Sequence, residues 1–209
     1  MSKTLDLSIE HLAQYTNPIV LDVEIAKSIP SKFYPNKEGI EYCSGWKDYS
    51  NMGISVVGVY DIVNASYRLY GPNSLYDLQQ DIEAASHVIG FNNHNFDNVL
   101  LSYNCINVPE HKTVDILRIV WESMGLDPDV YVKDTHGGVG LHELSMLNLG
   151  EGKTGNGADA AVLYQSGQLD KLYSYNINDL RLTYMLFRLL IRKEGNGLKL
   201  PNGSMVTLF

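Results

Sequence analysis

Apolar positions fall into two rhythms along the chain, and their order suggests an architecture. Asn17-Pro18 supplies turn chemistry ahead of Ile19-Val20-Leu21-Asp22-Val23-Glu24-Ile25, a β-branched run that reads as a buried strand interrupted by two acids. Gly53 to Asp61 and Ser66 to Tyr70 are two more strand-like runs, joined by Ile62-Val63-Asn64-Ala65 as an antiparallel hairpin. The period then changes. Leu75, Leu78, Ile82 and Ala85 recur at helical spacing behind Ser74, a residue suited to cap the helix start. His87 to Phe91 returns to a strand, about Phe96 to Tyr103 to a helix, and Thr113 to Asp115 to a short strand. Helical patterns resume at Leu141 to Leu149, Ala158 to Gln165 and Gln168 to Arg192, the last ended by Gly195. Leu198 to Phe209 reads as a hairpin around Pro201-Asn202-Gly203.

Three strands followed by alternating helices and strands predict an α/β fold: a mixed central sheet of about five strands flanked by helices, with sites at strand ends and loop starts. Residues 26 to 52, rich in Pro, Gly, Lys, Tyr and Ser around Trp46, keep no period and read as a long loop excursion. No internal repeat or low-complexity tract interrupts the pattern.

At 209 residues and 44% hydrophobic, the chain is long enough for one substantial core and short for two ordinary domains, so residues 1 to 209 are expected to form one domain. No run approaches the roughly 18 apolar residues of a membrane span. The N-terminus MSKTLDLSIEHLAQY is amphipathic rather than signal-like, which points to a soluble, cytoplasmic protein. Cys43 and Cys105 lack metal-ligand spacing and are expected to be buried free thiols. A net charge of −8 argues against a protein that coats nucleic acid electrostatically. It leaves room for a nuclease, because a divalent-cation site must itself concentrate carboxylates.

Those carboxylates occur in three places. Asp22 and Glu24 lie two apart on the first strand and so point from one face, about 7 Å apart along the backbone. Burying both costs several kcal/mol unless cations offset it, although a strand end with two solvated acids is an equal reading of so short a pattern. Asp97 follows the Asn-rich turn Gly90-Phe91-Asn92-Asn93-His94-Asn95-Phe96, where by itself it reads as a helix cap. Tyr175 and Asp179 stand one turn apart on the long helix, and alone they read as a surface pair.

As a set, in this order, they resemble the DEDD exonuclease superfamily of the ribonuclease H-like fold. Asp22 and Glu24 match its D-x-E motif. Gly90, Phe91, Asn92, Phe96 and Asp97 match G-[FY]-N-x-x-x-F-D as found in the proofreading domains of B-family DNA polymerases. Tyr175 and Asp179 match Y-x-x-x-D, and Leu144, Leu147, Leu149-Gly150 and Lys153 resemble the family's L-x-x-L…LG-x-x-K. The resemblance spans about residues 18 to 190. Ser174 stands where the other branch has histidine, so the chain resembles the tyrosine (DEDDy) branch. Ile25, where the family often has Thr, departs from the pattern, and the 26 to 52 excursion has no clear counterpart in it.

The resemblance implies a two-metal 3′-to-5′ exonuclease with Asp22, Glu24, Asp97, Tyr175 and Asp179 as catalytic residues, the four acids holding two Mg²⁺ or Mn²⁺ ions. Asp22 would bridge both, Glu24 and Asp179 complete the first, and Asp97 hold the second. A phenol with a pKa near 10 is a poor base at neutral pH, so Tyr175 would orient the attacking water. Asn92, Phe96 and Lys153 are the residues expected to touch substrate, although Phe91 and Phe96 also suit a core and Lys153 a solvated loop. The expected partner is a single-stranded 3′ end, DNA ahead of RNA, with contacts to the 2′ position deciding between them. Two alternatives stand: a structure-selective endonuclease on the same fold, and a non-catalytic nucleic-acid-binding module. Gly150-Glu151-Gly152-Lys153-Thr154 is no phosphate loop, because Leu147 stands where that motif needs glycine. His136 and His142 bracket a glycine-rich stretch suited to a lid, or more simply are surface loop histidines.

Overall fold

The computed structural model describes residues 15–31, 35–192 and 197–208. The amphipathic start, Gly195 and Phe209 lie outside them. Strands β1 (Ile19–Ile25), β2 (Ile54–Asp61), β3 (Ser66–Tyr70), β4 (Val88–Gly90) and β5 (Thr113–Asp115) form one sheet in the order β3-β2-β1-β4-β5. The three strands β1 to β3 pair antiparallel, whereas β4 and β5 run parallel to β1. Helices α2 (Leu75–Ala84) and α3 (Asp97–Tyr103) make the crossovers that parallel neighbours require. The expected mixed sheet of five strands flanked by helices is therefore what the chain forms.

Side-chain alternation on β1 divides the interior. Ile19, Leu21, Val23 and Ile25 pack with Val57, Val59 and Val88 against Leu78 and Ile82 of α2 and Leu100 and Leu101 of α3. Val20, with Tyr60 and Ile89, joins a cluster containing Ile116 and Val120 of α4 (Ile116–Ser123), Leu141 and Leu144 of α6 (Leu141–Leu149), and Leu180 and Leu186 of α8 (Leu169–Leu190). Asp22 and Glu24 are the next two residues on Val20's side. They take up an apolar face with charge.

Helix α8 crosses that face on a buried stripe of Leu172, Tyr175, Asn176, Asp179, Leu180, Leu182, Thr183, Leu186, Phe187 and Leu190, the spacing of one side of a helix. Its close seat depends on Gly58, which pairs with Asp22 across β1 and β2. A Cβ at Gly58 would run into the Asn176 amide and come within 2.7 Å of Leu180 Cδ1.

Several expectations are corrected. Cys43 is buried but Cys105 is exposed, on the turn after α3. Residues 26 to 52 are not simply loop: Ser28 bridges to Tyr42, and Tyr49–Met52 forms a short helix, α1. Two further helices escaped the pattern, α4 and the single turn α5 (Lys133–His136), because one follows β5 without a break and the other is too short for periodicity. His136 is buried rather than a surface histidine, its ring edge-on to Trp121 at 4.8 Å. The C-terminal hairpin, β6 (Leu198–Lys199) with β7 (Met205–Val206), forms a separate two-stranded sheet. Asn148 of α6 holds its edge by bonding both the N–H and C=O of Lys199, at 2.8 and 2.9 Å. Among the described residues, no helix is long and apolar enough to cross a membrane.

Gly58→Val is expected to lower folding stability by about 1–3 kcal/mol through overpacking under α8. Gly71→Ala, at an extended residue where an added Cβ meets nothing within 4 Å, is the control and should stay within about 0.5 kcal/mol. Urea unfolding of the two variants checks the difference.

Candidate metal centre and active-site cleft

Two elements deliver acids to one point. One carboxylate oxygen from each of Asp22, Glu24 and Asp179 lies within 4.8 Å of the others. The first two come from the same face of β1, and the third from the buried stripe of α8, so an apolar rhythm on each element carries the charge inward. The β1–β2 register slips just beyond Glu24, where the Ser55 hydroxyl donates to the Glu24 carbonyl at 3.0 Å. Such bulges re-aim a strand end.

Asp97 arrives by a different route. The ladder between β1 and β4 pairs Ile19 with Val88 and Val20 with Ile89, and β4 ends at Gly90 while β1 continues. The Val23 N–H beyond that point donates instead to Asp97 Oδ1 at 2.9 Å. A carboxylate thus takes the place of a missing strand carbonyl, and the helix-capping role read from sequence is not the bond it makes. Asp115 fixes the turn that presents it, accepting from the Asn92 and His94 N–H groups at 2.8 and 3.1 Å and from Leu117 at 3.0 Å as the cap of α4.

Burial raises all four acids above the ordinary carboxylate range, and repulsion between carboxylates adds to it at Asp22, Glu24 and Asp97. Asp22 is pushed up to about 7 by burial and by the charge of Asp179, against the opposing influence of Lys153. Glu24 and Asp97 rise well above their usual values, each through burial and then the Asp22 charge. Asp179 is raised by burial, with Lys153 restraining the rise. For Lys153 itself burial works against the ammonium, yet Asp179 and Asp22 outweigh it and its pKa goes up. Its Nζ lies 2.6 Å from Asp179 Oδ2 and 5.1 Å from the centre of the Tyr175 ring.

Tyr175 lies within hydrogen-bonding reach of Asp179, and burial followed by the Glu24, Asp179 and Asp22 charges holds its hydroxyl far above the usual phenol range. It is a proton donor here. Gly155 makes room for the ring, since a Cβ there would sit 3.1 Å from it. The Asn176 amide donates to Asp22 Oδ2 at 2.8 Å and also reaches the Asp22 carbonyl at 3.3 Å.

All the residues singled out from sequence, Asp22, Glu24, Asp97, Tyr175, Asp179, Asn92, Phe96 and Lys153, line one cleft of about 610 Å³. Asp97 stands apart from the tight group of three, on its β4 side. Phe91 and Phe96 are half-buried on the cleft wall instead of closed in the core. Asn176 and Asp115 were missed. Asn176 could have been noticed as an amide in a leucine stripe, one position from Tyr175; Asp115 carried only the weak signal of an acid at a strand end.

The all-oxygen set fits a hard divalent cation, and Asp179 Oδ1 supports that fit: it is buried and makes no well-formed hydrogen bond. Three clustered acids with one neighbouring ammonium leave the group short of positive charge.

No family model matches the sequence, nor does any curated protein. Among solved structures the chain is similar to the Trypanosoma brucei RNase D in the crystal structure of its GMP complex, with a TM-score of 0.51 and 14% identity over 91% of this chain and 55% of that one. The chain therefore spans about half the length of that protein. At this identity the likeness is one of fold, and the fold is ribonuclease H-like.

Raised pKa values set the pH dependence of the metal-free protein. The folded chain keeps protons that the unfolded chain has lost, so this contribution is fullest below the unfolded value of 3.8 for Asp22 and disappears as pH rises through about 7. Asp22→Asn is expected to raise the metal-free melting temperature at pH 8, by about 2–4 °C per kcal/mol of repulsion relieved, with the gain vanishing toward pH 4. Mn²⁺ should reverse the order at pH 8 by stabilising the wild type more. Melts with EDTA and with Mn²⁺ at both pH values check this.

Proposed function

We propose that the chain is a metal-dependent 3′-to-5′ exonuclease of the DEDDy kind, hydrolysing phosphodiester bonds at single-stranded 3′ ends with Asp22, Glu24, Asp97, Tyr175 and Asp179 as its catalytic set. The gathering of Asp22, Glu24 and Asp179 oxygens within 4.8 Å on the floor of a cleft is the observation that carries this reading. Asp22, Glu24, Asp97 and Asp179 would hold two Mg²⁺ or Mn²⁺ ions, with Asp97 at the β4 edge. Divalent ions in such a site lower the pKa of water, offset the charge developing on the phosphoryl oxygens and assist the leaving oxygen.

The chain's own groups do the positioning. Asn176 fixes the orientation of Asp22, and the Val23 N–H fixes Asp97, so neither carboxylate has to be ordered when substrate arrives. Tyr175 stays protonated at neutral pH and donates a hydrogen bond that orients the attacking water, with no part as a base. Lys153 has a proton and a positive charge beside Asp179, within the same cleft that would take the phosphodiester. Asn92 and Phe96 stand on the β4 side of the cleft and are the residues assigned to hold the end of the strand.

The resemblance of the second motif to polymerase proofreading domains puts DNA first as substrate. The likeness of fold to an RNase D makes RNA the necessary comparison.

A time course of 5′-labelled single-stranded DNA and RNA with Mn²⁺ tests the reading. A ladder that shortens from the 3′ end, lost in Asp22→Ala and Asp179→Ala, is the expected result. Tyr175→Phe should keep the Mn²⁺-dependent rise in melting temperature while kcat falls roughly 10- to 100-fold, the loss that goes with a misplaced reactant. Internal cuts would turn the reading to an endonuclease. No metal-dependent cleavage of either strand would overturn it.

A further inference from the structure

The cleft lining is of two kinds: the carboxylates, and an apolar wall made by Ile29, Pro30, Trp46, Phe91 and Phe96. Trp46 is 70% exposed, although burying it would remove more apolar area from water than burying almost any other side chain. Its indole meets Phe96 nearly edge to face at 6.2 Å, Phe96 meets Tyr49 at 6.0 Å, and Tyr49 stacks on Tyr103 at 5.8 Å. A row of aromatics therefore runs from the cleft mouth to the surface.

The segment that carries Trp46 is held in place. Gln165, at the end of α7 (Gly157–Gln165), accepts from the Glu41 N–H at 2.6 Å and donates to the Ala26 and Glu41 carbonyls at 2.9 and 3.0 Å. Ser28 and Cys43 are tied by main-chain bonding, the Ser28 N–H donating to Glu41 O and the Cys43 N–H to Ser28 O, each at 3.0 Å. Asp48 accepts from the Ser44 N–H at 2.7 Å and the Asn51 amide at 2.6 Å, which pins the turn around Trp46. Met52 and Cys43 are buried beneath. An aromatic presented by so many restraints loses little freedom when something lies on it.

We propose that Trp46 is a base-stacking residue, receiving the face of a nucleobase in the single strand whose terminal phosphodiester lies over Asp22, Glu24 and Asp179. This rests on the nuclease reading and names how the substrate is held. A nucleobase is the fitting occupant for two reasons. The wall is continuous with the acidic floor where the phosphate would lie. Lys153 is also the one cation among the described cleft-lining residues, and it is engaged with Asp179, so this side offers a strand no row of phosphate contacts. With a net charge of −8, hold on the strand must come from bound cations and from stacking, which tolerates any base because every base has a π face. The apolar wall thereby selects single strands, whose bases are free to lie flat on it. Ile29, Pro30 and Trp46 of that wall belong to the 26 to 52 excursion, the segment without counterpart in the family's motif pattern.

Tryptophan emission reads the contact directly. Trp121, the second tryptophan, is only 6% exposed, so a flat ligand reaches Trp46 alone. Titrating the full chain in Mn²⁺ with a deoxythymidine octanucleotide carrying phosphorothioate linkages at its 3′ end should quench the emission, and Trp46→Phe should abolish the quench. In steady-state cleavage of the unmodified octanucleotide, Trp46→Ala should raise KM about five- to a hundredfold with the loss carried by KM rather than kcat, and Trp46→Phe should restore most of it. Cleavage by Trp46→Ala with wild-type KM, or a quench that survives in Trp46→Phe, overturns the stacking role and leaves the nuclease reading standing. Quenching confined to Trp46 in a protein that cleaves neither DNA nor RNA supports the stacking site and overturns the nuclease reading instead.

Discussion

Mutual repulsion among buried carboxylates is the constraint around which this molecule is organised. Asp22, Glu24 and Asp179 crowd oxygens within 4.8 Å of one another beside Lys153, and burial raises all three pKa values, with repulsion from neighbouring carboxylates adding to it at Asp22 and Glu24. The surrounding structure prevents the group from relieving itself by moving apart. Glu24 is fixed on a strand, Asp179 in the buried stripe of α8, and Asp22 under an amide that fits only because Gly58 has no side chain. The arrangement stores an unfavourable interaction that protons, Lys153 or a divalent ion can relieve to different degrees.

Sheet topology decides where that group is accessible. A parallel strand that stops three residues in, as β4 does, leaves the far end of β1 unpaired on one side. Asp97 accepts from the Val23 N–H left without a strand partner there, and the turn that brings it is clamped by Asp115 from the next strand. The cleft is thus the space that opens where the ladder ends, as open sheets with parallel strands commonly provide beyond their carboxyl ends. Its second wall comes from elsewhere. The segment after β1 brings Ile29, Pro30 and Trp46 into the cleft lining and is fastened at Ala26 and Glu41 by Gln165 of α7, so the strand that supplies the acids also launches a segment that lines the cleft with them.

Much of this architecture is legible in the sequence. Period-two and helical rhythms located all five sheet strands and the helices α2, α3, α6, α7 and α8 within a residue or two, because each buries one face and hydrophobic spacing records that burial. The spacing of Asp22 with Glu24 and of Tyr175 with Asp179 specified that each pair shares a face. Short or contiguous helices were not legible. The turn α5 is too brief to show a period, and α4 follows β5 so directly that Asp115 serves at once as strand end and cap.

Convergence was a matter for the tertiary structure alone. Nothing local to Asp97 says that its oxygen replaces a strand carbonyl beside Val23, since that depends on β4 being shorter than β1. Nor does the chain near Asn176 reveal Gly58, 118 positions away, whose missing side chain lets the amide hold Asp22. The same holds for Trp46, whose outward indole becomes a cleft wall only once Gln165 has fastened its segment. By itself the sequence determined which face each element buries and which chemistry that face carries, because those follow from periodicity within one segment. Distances between segments, and with them the charge repulsion and the shape of the cleft, arose only when packing brought remote faces together.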